Sequence, residues 1–181
     1  FNYTTYSFDT SATYGSDSGN LTDYLNSLNR LQKNTQSFVR ANLKEQEVMG
    51  EIVTRLNTEN YASAIVNASG IDYTITNYTH TASVLNRTYY VVERDGPNKG
   101  WGYYVYYPNS SLSNLLVSIP HPLFDSNTRP IGSDLYLNVS TQWLFLASAH
   151  RDTNFNELAE PVSDDNRQHP YYAAMLNLTN S

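Results

Sequence analysis

Apolar residues in the first third of the chain recur every three or four positions. Leu21, Tyr24, Leu25, Leu28 and Leu31 are followed by Phe38, Val39, Leu43, Val48, Met49, Ile52, Val53 and Leu56, a spacing that gathers side chains on one face of an α-helix. The pattern predicts one long helix, or two, ending near Asn57, with Thr22 and Asp23 supplying a capping oxygen and N-terminal acid and no proline interrupting. Residues 1–20 have no period and are rich in Tyr, Ser, Thr, Asp and Gly, so they read as an extended N-terminal arm.

Beyond a short helical turn at 62–66 the texture changes. Val, Ile, Thr and Tyr dominate residues 71–78, 83–93 and 102–107, which reads as three strands. Asp95, Gly96, Pro97, Asn98, Lys99 and Gly100 are turn formers, so the strands on either side are expected to pair as a hairpin. Leu115 to Ile119 and Trp143 to Ala147 are short continuous apolar runs, the mark of strands buried on both faces. A connection of about two dozen residues, with a helix or loop at 129–138, is the spacing of a β-α-β unit whose strands run parallel. The expectation is an α/β fold: one domain over residues 21–181 with a mixed, partly parallel central sheet flanked by helices.

Charge and composition narrow the partners. A net charge of −6 and the absence of any Lys/Arg cluster argue against nucleic acid and anionic lipid. No run of 18 apolar residues is present, so no membrane span is expected in this segment. Eight Asn-x-Ser/Thr triplets begin at Asn2, Asn20, Asn67, Asn77, Asn86, Asn109, Asn138 and Asn177, and with only three lysines, N-linked glycans could carry the solubility that charge does not. Opening at Phe1 rather than Met implies a removed leader, and Asn177-Leu-Thr-Asn-Ser181 lacks a helix stop, so continuation past Ser181 is expected. These features predict an extracellular or cell-surface glycoprotein. The lack of cysteine excludes disulfides, zinc-thiolate sites and thiol nucleophiles.

Candidate chemistry lies at the ends of the two apolar strands. His121 follows one, with Asp125 four residues on, and His150 closes the other, with Arg151 next to it. In open parallel sheets ligands gather outside the carboxyl ends of the strands. Two imidazoles and one carboxylate with an open position form a hydrolytic zinc site, in which the metal acidifies a bound water and polarises a carbonyl. Arg151 suits a substrate carboxylate held by two hydrogen bonds, or else a surface ion pair. Glu157 and Glu160 are candidate general bases, although each also fits a solvated loop carboxylate. His80 reads as an exposed strand or turn residue. Tyr103, Tyr104, Tyr106 and Tyr107 could form a sugar- or partner-binding surface, but alternating faces of a half-buried strand explain them more cheaply.

The stretches Gly100-Trp101-Gly102 with residues 103–108, then Val117-Ser118-Ile119-Pro120-His121-Pro122-Leu123-Phe124-Asp125-Ser126-Asn127-Thr128, then Ala147-Ser148-Ala149-His150-Arg151 resemble secreted relatives of the N-formylglutamate amidohydrolase group. That group belongs to the zinc carboxypeptidase-like and phosphorylase/hydrolase-like α/β folds. The resemblance covers roughly residues 100–172. It implies His121, Asp125 and His150 as zinc ligands or their neighbours, Arg151 as the holder of a glutamate-like or peptide carboxylate, and amide-bond hydrolysis by metal-bound water. One departure stands out: Asp165 occupies the place where the group carries a further His, and His169 is displaced from it.

Two functions therefore compete. One is a metal-dependent amide hydrolase. The other is a structural or adhesive glycoprotein on a degenerate hydrolase scaffold, self-associating through residues 1–20. A carbohydrate-binding module, resting only on exposed aromatics, is a distant third.

Overall fold

In the computed structural model, which describes residues 8–82, 86–154, 159–163 and 166–179, the early apolar periodicity resolves into separate helices. Helix α1 spans Leu21–Ser27 and α2 spans Leu43–Asn57. The break has a local cause: Asn42 and Glu45 form a reciprocal capping box that starts α2 afresh, while Asn20 caps α1 by accepting the Thr22 N–H. Between them Leu28, Leu31 and Phe38 keep the interval of three or four but belong to irregular chain. Helix α3 follows at Tyr61–Gly70.

The strands are β1 (Gly15–Gly19), β2 (Tyr73–His80), β3 (Arg87–Arg94), β4 (Tyr103–Tyr106), β5 (Leu112–Ile119) and β6 (Thr141–Leu146). Helix α4 (Thr128–Val139) links β5 to β6, and α5 (Pro170–Thr179) ends the fold. The six strands form one mixed sheet in the order β1-β2-β3-β4-β6-β5. β1 runs parallel to β2 and β5 parallel to β6, and the other three pairings are antiparallel. The hairpin expected around residues 95–100 is the β3–β4 pair, and the expected β-α-β unit is β5-α4-β6.

Three local expectations need correction. β5 is an edge strand rather than one buried on both faces: among the described residues it pairs with β6 alone, and Leu115 is 49 % exposed. β4 is buried on both faces, not half-buried, since it lies inside the sheet under helices on each side. His80 is buried, not exposed, because its Nδ1 accepts the N–H of Leu21 and so ties β2 to the start of α1. Part of the segment expected as an extended arm, β1, is built into the sheet edge.

Alternation along β4 and β6 divides the core in two. Tyr104, Tyr106, Trp143 and Phe145 face α2, α3 and α5, whereas Tyr103, Val105, Leu144 and Leu146 face α1 and α4. Each such side chain, fully buried, stabilises the fold by about 1.5–3 kcal/mol, so these two strands anchor both layers. Among the described residues no helix is long and apolar enough to cross a membrane.

The turn entering β4 is fixed by Gly102. It sits at φ +107°, accepts the Tyr73 hydroxyl and donates its N–H to Ser148 Oγ. A Cβ here would stand 3.1 Å from the Leu146 carbonyl oxygen. Gly102→Ala is expected to cost about 1–3 kcal/mol of stability, read as a lower urea midpoint with an unchanged slope; a wild-type midpoint would show that this turn is not constrained as described.

Candidate functional site

β5 and β6 end together, because Ile119 pairs with Leu146 and the Ala147 N–H reaches the Ile119 carbonyl at 3.0 Å. Their following loops therefore leave from one edge. The loop after β5 folds back at once: the N–H groups of Phe124 and Asp125 both donate to the His121 carbonyl, at 3.2 and 3.1 Å. Thr128 Oγ1 donates to the Asp125 carbonyl at 2.9 Å and closes the turn into α4. This backbone arrangement carries the Asp125 carboxylate to the His121 ring, with Oδ2 3.6 Å from Nδ1.

The other ring nitrogen, Nε2, is 2.6 Å from Glu160 Oε1. Glu160 is buried, flanked by buried Ala159 and Pro161, and is held by several donors. Oε1 also accepts the Val162 N–H at 3.3 Å, Oε2 lies 3.5 Å from Arg151 Nε, and the Glu160 carbonyl accepts Asn166 Nδ2 at 2.8 Å. The Arg151 guanidinium rests on the Phe124 ring, 4.9 Å from its centroid.

His150 completes the group from β6. Its N–H donates to the Leu31 carbonyl and its Nδ1 accepts the Asp152 N–H, leaving Nε2 uncommitted among the described residues. Its ring lies against Phe124 in a T-shaped arrangement, with centroids 5.6 Å apart. Burial pushes its pKa down, Asp152 pulls it up, and Lys33, Arg151 and His121 each press it down further.

At bonds of about 2.0–2.2 Å, two ligands of one tetrahedral zinc ion stand about 3.4 Å apart, close to the 3.6 Å between His121 Nδ1 and Asp125 Oδ2. The 2.6 Å contact of Nε2 with Glu160 is a hydrogen bond instead. Among the described residues, no three His, Cys, Asp or Glu side chains are gathered around one point in a way that would hold an ion. The His121–Asp125 spacing is thus compatible with two ligands of one ion, and among the described residues no third side chain is gathered with them.

The sequence-predicted residues fall into three sets. Asp125, His121, Glu160 and Arg151 form a chain of contacts in that order, and His150 joins it through Phe124. Glu157 and Asp165 lie outside the described residues. His169 is removed from the chemistry: it is 1 % exposed in the core, stacked on Phe38 at 5.1 Å, with Nδ1 accepting the Tyr171 N–H. Glu160 is no solvated loop carboxylate. Its one sequence signal was its position between two small apolar residues, Ala159 and Pro161. Phe124, which separates Arg151 from His150, was missed altogether, since an aromatic in a short loop carries no period.

No family model, curated protein or solved structure matches this chain.

His169 generates a pH prediction. Burial alone pushes its pKa from 6.5 to about 3, so the folded state resists a proton that the unfolded chain accepts. Stability from this group is complete above pH 6.5 and is lost as the pH falls toward 3, at about 1.4 kcal/mol per pH unit. The expected loss between pH 6.5 and 5 is about 2 kcal/mol in urea titrations. His169→Asn, which keeps an acceptor for the Tyr171 N–H, should flatten that acid limb; an equally steep limb in the variant would assign it to other groups.

Proposed function

We propose that this chain is an extracellular glycoprotein whose β5/β6 edge carries a zinc-dependent hydrolase site for amide bonds in carboxylate-bearing substrates of glutamate-like or peptide type. The observation that carries this reading is His121 held between two carboxylates, with Arg151 attached to the buried one.

Glu160 is the positioning residue. With the Nε2 proton directed at Glu160, the lone pair of Nδ1 faces the Asp125 side, the arrangement by which an outer carboxylate fixes a ligating imidazole. His121 Nδ1 and Asp125 would hold the zinc from one side, and His150 would have to close on it from the neighbouring loop; the ion would supply Lewis acidity and an acidified water. Among the described residues Arg151 directs Nε at Glu160 and Asp152, and its terminal nitrogens would take a substrate carboxylate in the two-pronged geometry that guanidinium favours. Stacking on Phe124 fixes the plane of that fork.

The test is zinc content and amide hydrolysis of N-acylglutamate probes by the purified glycoprotein. Near-stoichiometric zinc is expected, lost in His121→Ala, with affinity weakened about 10–100-fold in Glu160→Gln. Arg151→Met should raise KM for carboxylate-bearing probes more than it lowers kcat. Absence of both zinc and hydrolysis in the wild-type protein would overturn the reading.

The alternative, a self-associating surface glycoprotein, gains from one feature: β1 is the exposed edge of the sheet, and open edges template strand addition. Oligomers in light scattering that disperse on deletion of residues 1–20 would favour it.

Glycosylation can be graded site by site. Asn86, Asn109 and Asn138 are exposed, and Asn20 is exposed with only its Oδ1 used as the α1 cap. Asn67 is half-buried and gives Nδ2 to Glu51, and Asn77 is half-buried on β2. Asn2 lies outside the described residues. Asn177 is packed between helices: Nδ2 donates to the Ala173 carbonyl, and a Cβ on Gly50 would stand 2.1 Å from it. Peptide mapping of secreted material should find glycan on Asn86, Asn109 and Asn138 and none on Asn177; a fully occupied Asn177 would contradict the α2–α5 packing.

A further inference from the structure

The first turn of α4 is electrostatically inverted. Helix N-termini carry a partial positive charge and favour a capping oxygen and acidic residues. Here Asn127, at φ +64°, makes no side-chain capping bond, and the first turn holds no acid. It holds Arg129 instead. That side chain is 2 % exposed, and Nε and both terminal nitrogens lack any hydrogen-bond partner among the described residues. No described carboxylate lies within ion-pair distance of it. One turn further along α4, Ser133 Oγ is likewise buried and unpartnered.

The surroundings deepen the imbalance. Burial lowers the Arg129 pKa to about 10, with Arg30 adding to the fall and Tyr103 opposing it. Arg30 is the second cation that bears on it, and among the described residues its guanidinium donates to the Asn26 carbonyl at 3.2 Å. Tyr103 donates its hydroxyl to the Asn29 carbonyl, which fixes the chain just before Arg30 over this region. Glu93 is the acid that acts on Tyr103, but its Oε1 already accepts from Tyr24 and Thr76, and it forms no ion pair with Arg129. A buried guanidinium, a like charge beside it and the positive end of a helix each disfavour this arrangement on its own. One negative charge would relieve all three.

We propose that Arg129 and Arg30, with the first turn of α4, bind a single small monoanion, of halide or carboxylate size, in the interior beneath residues 29–30. The guanidinium N–H donors of Arg129 and the Ser133 hydroxyl supply the hydrogen bonds, and the burial of both groups favours a small anion over a bulky one. The site is independent of the hydrolase reading: it lies on the inner face of α4 and uses none of His121, Asp125, His150, Arg151 or Glu160.

The test is thermal melting of the intact glycoprotein at fixed ionic strength in chloride, in acetate and in a bulky morpholine-type sulfonate. Once chloride or acetate exceeds its Kd, Tm should rise by about 3–5 °C per tenfold increase, as expected for a ligand of the folded state alone, with no rise in the bulky sulfonate. A response to chloride only assigns the site to an inorganic halide, and a response to both opens it to organic acids. Arg129→Met should abolish the dependence; if that variant does not fold, Arg30→Met should shift the anion midpoint at least tenfold. Crystals soaked in bromide should show an anomalous peak beside the Arg129 guanidinium. Equal Tm in all three anions, an unchanged response in Arg30→Met, or no bromide peak would overturn the proposal.

Discussion

The in-register parallel pairing of β5 with β6 is the constraint from which the rest of the site follows. Because Ile119 sits opposite Leu146, the two chains leave the sheet at the same level, and residues 121 and 150 have little choice about where they arrive. Neither strand could hold this position alone. β6 is buried along its whole length between β4 and β5, and α4 presses against β5 closely enough that a Cβ on Gly132 would stand 2.4 Å from Ile119 Cδ1. The missing side chain at Gly132 allows that approach, and the approach fixes the edge strand that delivers His121.

Much of this was legible in the sequence, and what was missed has a common physical reason. Turn formers at 95–100 marked the β3–β4 hairpin, and the apolar run at 143–147 marked β6, because backbone preference and burial agree there. Periodicity reports spacing, however, and not what a side chain packs against. Leu28, Leu31 and Phe38 continue the helical interval through irregular chain, and the α2 start was written in Asn42-x-x-Glu45, a capping signal that competes with continuation of the helix. The run at 115–119 has the apolar texture of a central strand yet lies at an edge, which only the strand order reveals. His80 and Glu160 were read as exposed on residue type alone, while tertiary partners, the Leu21 N–H and the His121 ring, hold each of them inside.

The candidate site behaves as a unit because its deepest member is a buried charge. Glu160 is removed from water and therefore costs several kcal/mol unless its oxygens are engaged. His121, Val162 and Arg151 together engage them. Removing any one donor leaves a partly uncompensated carboxylate, so His121 and Arg151 are coupled through Glu160 even though neither touches the other in an ion pair. Phe124 couples Arg151 to His150 in the same way, with the guanidinium over its ring and the imidazole tilted against it. Asp125 is the exception, 49 % exposed and held by its loop rather than by the cluster, which makes it the member freest to move toward a ligand.

The two charged groups of this end of the molecule thus solve burial in opposite ways. Around Glu160 the chain provides every counterpart itself, two of them from residues that also face the site, so structural and chemical demands fall on the same side chains. Around Arg129 the described residues provide none, and the first turn of α4 carries neither an acid nor a side-chain cap. Protein interiors rarely leave a full charge without either a partner or a ligand. A guanidinium that lacks the first, in a fold that supplies Glu160 so completely, is best explained by the second.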